Sequence, residues 1–178
     1  MSKKPFPFQD LPREGALREL SADYPGLAPV AFETYLYLRR FNDELFKALE
    51  AHFGRHGLSV ARAQVLILLY KSCIWEKSEN GIAPSELAAR LGVTRGAMTG
   101  MLESMEQDGW IVKSEHPEDR RSLLVKIGRK GITKVEALLP DHFGRISKAM
   151  SGLSESEHRK LQQMLRDLAG ELSEIAEP

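Results

Sequence analysis

The stretch from Pro84 to Gly131 constrains this chain more than any other part of it. It opens with Pro84-Ser85-Glu86-Leu87-Ala88-Ala89-Arg90-Leu91. Proline suits the first position of a helix, where a missing N–H costs nothing, and Glu86 falls in the positive first turn. Leu87, Ala88 and Leu91 share one face, so the spacing predicts a short helix over 84–91. Gly92 can end that helix in the left-handed conformation, and Thr94 is a good N-cap for a second helix running to about Gln107. Ala97, Met98, Met101, Leu102 and Met105 are expected to form the apolar stripe of this second helix. Its other face carries Arg95, Gly96, Thr99 and Gly100, small or hydrogen-bonding groups with one cation.

Ile111-Val112 and Leu123-Val125-Ile127 read as strands, the latter alternating in period 2, and His116-Pro117-Glu118-Asp119 between them is turn chemistry. Ile82-Ala83 is a candidate short strand for the same sheet. Helix, tight turn, helix and hairpin is the element order of a winged helix-turn-helix. A helix face built of Thr94, Arg95, Gly96, Thr99 and Gly100 suits close approach to a duplex and contact with base edges. Each glycine costs about 1 kcal/mol of helix propensity against alanine, so each calls for a reason. Close approach to DNA is one; close packing against another helix is the alternative. From Asp119 to Lys134 six cations stand against one acid. A cationic hairpin suits phosphate and minor-groove contact, and an ordinary solvated hairpin is the bland alternative.

Leu87-Ala88 with Leu91-Gly92-Val93-Thr94, then Met101-Leu102-Glu103 with Asp108-Gly109-Trp110-Ile111, then Asp119-Arg120-Arg121-Ser122-Leu123-Leu124-Val125 ending in Gly131, resembles the MarR family of bacterial transcriptional regulators. The Asp-Arg-Arg wing, followed by a strand and a glycine-led helix, is the most specific piece. The likeness spans about Phe32 to Ile175. It implies a mostly α fold: a winged helix-turn-helix with a small antiparallel β wing and N- and C-terminal dimerisation helices. It also implies a homodimer on double-stranded DNA, with repression as the expected sense, and a small aromatic or phenolic effector bound between the dimerisation helices and the DNA-binding lobe. The candidate DNA-binding residues are Thr94, Arg95, Gly96, Thr99, Gly100, Lys113, Arg120 and Arg121, with Asp119 orienting an arginine. Gly100 stands where many resembling sequences carry a cation or polar side chain. The stretch Lys71–Gly81 is longer than the family's usual crossing, so either a helix is extended or a loop is inserted.

Outside the central stretch the sequence is less specific. At 178 residues the chain can bury a sizeable core. Its formal net charge is zero, so any affinity for nucleic acid has to come from local clustering. No apolar run reaches the roughly 18 residues of a membrane span, no signal peptide is recognised, and one cysteine fits a reducing cytoplasm. The expected division is an N-terminal arm at 1–30, a dimerisation helix at 31–58, the DNA-binding domain at 59–130 and C-terminal dimerisation helices at 131–178. The proline-rich arm is expected to be extended, with one helical turn near Ala16–Leu20, and Phe6, Phe8 and Leu11 are candidates to pack on a partner subunit.

Tyr35, Leu38, Phe41, Leu45, Phe46, Leu49 and Phe53 keep helical spacing up to Gly54 and Gly57. Ser59 is expected to cap a helix to about Ser72 that buries Val65, Leu66, Leu68 and Leu69. After the wing, Ile132, Val135, Leu138, Leu139, Phe143, Ile146 and Met150 mark a helix that Pro140 should kink. Ser154-Glu155-Ser156-Glu157 is a capping box opening a last helix, whose narrow seam of Leu161, Met164, Leu165, Leu168, Leu172 and Ile175 reads as a dimer interface. His52 and His56 share a helix face as metal ligands would, but no further ligand pattern completes a site, so surface histidines and no metal are expected. Cys73 has only Lys71 as a close cation, so a buried or incidental thiol is favoured over a redox sensor. Tyr70, Cys73 and Trp75 are candidates to line a small-molecule pocket. A phosphate loop, a paired metal motif and a nucleophile elbow are missing from the sequence, so an enzyme is not expected and no cofactor is implied. A winged-helix protein-interaction module or a non-specific architectural DNA binder is the alternative to a sequence-specific regulator.

Overall fold

Helices α1 (Glu14–Asp23) and α2 (Pro29–Gly54) open the computed structural model, which describes residues 14–78, 80–115 and 123–175. Then follow α3 (Val60–Tyr70), a π-helical turn (Lys71–Trp75), α4 (Pro84–Leu91), α5 (Arg95–Gln107), β1 (Ile111–Glu115), β2 (Leu123–Ile127), α6 (Arg129–Met150) and α7 (Glu155–Ile175). By packing, the chain divides within α3 into residues 1–65 and 66–178.

In the first unit, α1 packs on α2 and buries Leu17. Within its described residues the arm carries a ten-residue helix over 14–23 in place of the single expected turn. The expected turn at Ala16–Leu20 lies inside it, and Phe6, Phe8 and Leu11 lie outside the described residues. Along α2 the apolar stripe is open: Tyr35, Leu38, Phe41, Leu45 and Phe46 are exposed, while Phe53 is buried. The helix stops at Gly54; Gly57 adopts φ 66° and lets the Leu58 N–H donate to the Phe53 carbonyl at 3.0 Å. His52 is not a surface histidine. It is buried, its ring meets His56 edge-on at 5.3 Å, and an Arg55 guanidinium nitrogen stands 3.5 Å from its Nδ1. A guanidinium thus stands beside one of its two ring nitrogens.

The second unit follows the expected helix, turn, helix and hairpin. Gly92 takes φ 65° and ψ 31°, the left-handed cap that ends α4, and Val93 N–H returns to the Ala88 carbonyl. The Thr94 hydroxyl oxygen accepts from Ala97 N–H at 3.2 Å and caps α5. Leu87, Met98, Leu102, Met105, Ile111, Val125, Val135 and Leu138 are fully buried. Ala97 is exposed rather than part of the stripe, because α5 is rotated so that Met98, Leu102 and Met105 face inward. β1 and β2 pair antiparallel in the register Ile111↔Ile127, Lys113↔Val125 and Glu115↔Leu123. Ile82 completes the sheet edge with two backbone hydrogen bonds to Val125, both 2.9 Å.

α6 begins at Arg129, two residues before the expected Gly131, and runs through Pro140 to Met150. Gly131 is required for another reason: a Cβ there would stand 2.2 Å from the Trp110 carbonyl oxygen. Only a glycine lets α6 come this close to the start of β1. Val135, Leu138 and Leu139 are buried, whereas Phe143 and Ile146, beyond Pro140, are exposed.

α7 opens with the expected reciprocal box. Ser154 N–H donates to Glu157 Oε2 at 2.8 Å, the Ser154 hydroxyl donates to the same oxygen at 2.6 Å, and Glu157 N–H donates back to Ser154 Oγ at 3.4 Å. The Ser154 hydroxyl first, and then its N–H, hold the Glu157 carboxyl below the ordinary glutamate range. A folded-state pKa below the unfolded one adds stability that is present above the unfolded pKa and lost as pH falls through the folded pKa. Ser154→Ala should therefore lower the melting temperature at about pH 7, and the gap to the unmodified chain should narrow at about pH 3. Thermal unfolding followed by circular dichroism at both pH values checks this; a gap that widens on acidification would contradict the cap.

Candidate nucleic-acid interface

α4 and α5 are joined by only Gly92, Val93 and Thr94, so the turn sets the direction of α5. With Met98, Leu102 and Met105 buried, the opposite face of α5 is forced outward. Thr94, Arg95, Gly96, Thr99 and Gly100 are all exposed on it. Among the described residues the Arg95 guanidinium makes no ion pair. The Thr99 hydroxyl donates to the Arg95 carbonyl at 2.9 Å, which leaves its oxygen lone pairs outward as acceptors. Arg95, Thr99, Ala83, Pro84, Ser85 and Leu123 line a shallow depression of about 290 Å³, where the N-terminal end of α4 meets α5 and β2.

The two glycines of this face decide between the readings offered for them. A Cβ built on Gly96 or on Gly100 meets nothing within 4 Å. Packing among the described residues therefore does not require either glycine. What remains is a strip with two positions bare of side chains, Gly96 and Gly100, on a helix whose opposite face buries Met98, Leu102 and Met105.

The remaining sequence-predicted residues are Lys113, Arg120 and Arg121. Arg120 and Arg121, with Asp119 and the His116–Asp119 turn, lie outside the described residues. Lys113 is half-buried on β1, and its Nζ is held 2.8 Å from Glu106 Oε2 of the last turn of α5. Its charge is thus committed to tying α5 to the sheet. Lys134, counted among the cations of the wing region, instead sits with its Nζ 4.8 Å from the centre of the Trp110 ring.

The stretch after α3 begins with a helical extension over Lys71–Trp75, and the described residues from Glu76 to Gly81 are irregular. The π turn carries the chain on to Trp75, and Lys77, at φ 52°, turns it back. Of the three residues expected to line a pocket there, only Cys73 does so, and it is exposed rather than buried. Tyr70 is buried, meets Trp75 edge-on at 5.9 Å and donates to Glu136 at 3.5 Å. Burial first, and then Glu136, raise the Tyr70 pKa.

Comparison with known proteins agrees with this geometry. Residues 61–123 match the MarR family. The HTH-type transcriptional repressor YetL of Bacillus subtilis is 29% identical over 163 residues, 92% of this chain and 95% of its own length. Among solved structures, the Staphylococcus aureus MepR–DNA complex superposes with a TM-score of 0.67 at 19% identity, covering 78% of this chain and 95% of that one. CouR from Rhodococcus jostii RHA1, bound to p-coumaroyl-CoA, superposes with a TM-score of 0.63 at 20% identity, covering 75% and 89%. Both solved structures share the winged-helix fold seen here. From α3 through the Gly92 turn and the buried stripe of α5 to β1 and the first residue of β2, residues 61–123 are those that match the MarR family.

Proposed function

We propose that this chain is a non-enzymatic, cytoplasmic transcriptional regulator, a repressor that acts as a homodimer on a palindromic double-stranded operator. The observation that carries the reading is the outward strip Thr94, Arg95, Gly96, Thr99 and Gly100, whose glycines face open space. α5 enters the major groove through this strip, with Arg95 and Thr99 offering a donor fork and an acceptor to base edges and phosphates. Arg120 and Arg121 contact phosphates or the minor groove from the wing. α2 and the helices from 131 onward carry the dimer contacts, since their apolar stripes stand open in the single chain. MepR in complex with DNA and YetL, named as a repressor, support the direction of the reading. CouR with its bound thioester supports control by a small organic effector, which changes DNA affinity by favouring one spacing of the two recognition helices.

The wing assignment has its own test. Arg120→Ala should weaken binding to specific and random duplexes alike, and lower the slope of log K against log salt by about one unit. Fluorescence anisotropy on labelled duplexes over a salt series measures both. An unchanged slope would remove Arg120 from the interface.

A further inference from the structure

A recognition helix and a wing have to meet one duplex at the same time, and little chain fixes the angle between them. α5 passes into β1 through Asp108, Gly109 and Trp110 alone. Gly109 turns the chain at φ 74°, and Trp110 N–H donates back to the Met105 carbonyl at 2.9 Å. From the far end of the hairpin, Gly128 N–H donates to the Trp110 carbonyl at 2.8 Å. These bonds hold the root of the wing.

Farther along β1 a side chain reaches back to α5. Strand alternation puts Lys113 on the same face as the fully buried Ile111, so its stem lies over the core while its ammonium extends outward. Lys113 Nζ stands 2.8 Å from Glu106 Oε2, with the lysine side chain 20% exposed. Arg40–Glu44, Arg145–Asp141 and Arg159–Glu155 also pair, but each joins neighbours one turn apart in a single helix. Glu106–Lys113 joins two elements, so it is made or lost with the angle between them. Lys113 also lies opposite Val125, whose N–H and carbonyl are both bonded to Ile82. The tie to α5 is therefore passed to every segment of the sheet.

We propose that Glu106 and Lys113 are positioning residues: their ion pair sets the wing against α5 so that helix and hairpin engage one duplex together, and Lys113 itself touches no phosphate. This deepens the DNA-binding reading above and rests on it. A preset angle removes part of the ordering cost of binding, and two linked contacts reinforce each other only where the geometry lets both engage. The sign of the charge makes the idea sharp. An acid near DNA repels phosphates, so an acid with no positioning role would strengthen binding when neutralised.

Glu106→Gln, Lys113→Met, which keeps the apolar stem, and the two together are compared with the unmodified chain on a duplex that the unmodified chain selects from genomic DNA. Each single substitution should weaken binding about three- to tenfold, and the double variant should lose no more than the worse single one, because the pair acts as a unit. The slope of log K against log salt should stay unchanged in Lys113→Met, whereas a lost phosphate contact would lower it by about one unit. Lys113→Arg, which keeps the charge, should bind like the unmodified chain. Without DNA, amide hydrogen exchange over residues 111–115, read by mass spectrometry, should be faster in both single variants. Unchanged exchange, a Glu106→Gln chain that binds as tightly as the unmodified one or tighter, or a slope lowered by Lys113→Met would each overturn the proposal. An unmodified chain that binds no duplex would overturn the regulatory reading and this proposal with it, and that failure is distinguishable because it shows before any variant is compared.

Discussion

A chain carrying Leu165→Asp and Leu168→Asp is expected to sediment as a folded monomer and to lose binding to a two-half-site operator. Leu161, Met164, Leu165, Leu168 and Leu172 follow one another along a single face of α7, and each is exposed in the single chain, Leu165 at 46% and Leu168 at 44%. Scattered apolar residues on a surface need no explanation, but an unbroken stripe over about three turns does. The same helix is otherwise charged and polar, so nothing in its own chemistry calls for the leucines. Each fully buried leucine contributes roughly 1.5–3 kcal/mol, and a two-fold interface buries each position twice. Replacing two leucines per chain by aspartate should therefore raise the dissociation constant by at least about a thousandfold. The substitutions sit on solvent in the monomer, so helicity should be retained. Sedimentation velocity with circular dichroism checks both. A variant that stays dimeric would show that the seam is not the interface.

Gly100→Ala is expected to move stability and DNA binding in opposite directions. An interior helix glycine costs roughly 0.5–1 kcal/mol against alanine, and the new Cβ meets nothing within 4 Å. The free protein should therefore melt at a higher temperature. On DNA the same methyl group enters the space between the α5 backbone and the base edges. Displacing a helix from contact there should cost about 1–3 kcal/mol, roughly five- to a hundredfold in affinity. Thermal unfolding and operator binding of one purified variant give both numbers. Affinity unchanged alongside greater stability would mean that Gly100 faces no duplex.

Much of this architecture is legible in the sequence because its signals are local. Gly92 and Thr94 act on neighbours within four residues, as do Ser154 and Glu157, and all four behave as their chemistry requires. The helix-turn-helix and the hairpin follow from period and punctuation. What escaped reading depends on packing at long range. Ala97 lies outward because Met98 and Met105 decide the rotation of α5. His52 is buried, although the glycine after Phe53 argues for a fraying helix end. Lys113 looks like a DNA contact in sequence, but its partner Glu106 is on another element. The π turn over Lys71–Trp75 carries no distinctive composition; only its unusual length for the family marks it. Of the candidate interface, the α5 strip was readable from helix phase alone, and the open space beside its glycines required coordinates.

The most direct measurement is selection of genomic fragments by the purified protein at physiological salt, followed by affinity against salt on the recovered sequence. The account calls for a short inverted repeat, its half-sites about one helical turn apart, with one dimer bound. Binding should fall with salt at a slope of about 0.9 for each phosphate contacted. A correctly folded dimer, freed of bound small molecules, that retains no duplex at any salt would contradict the account.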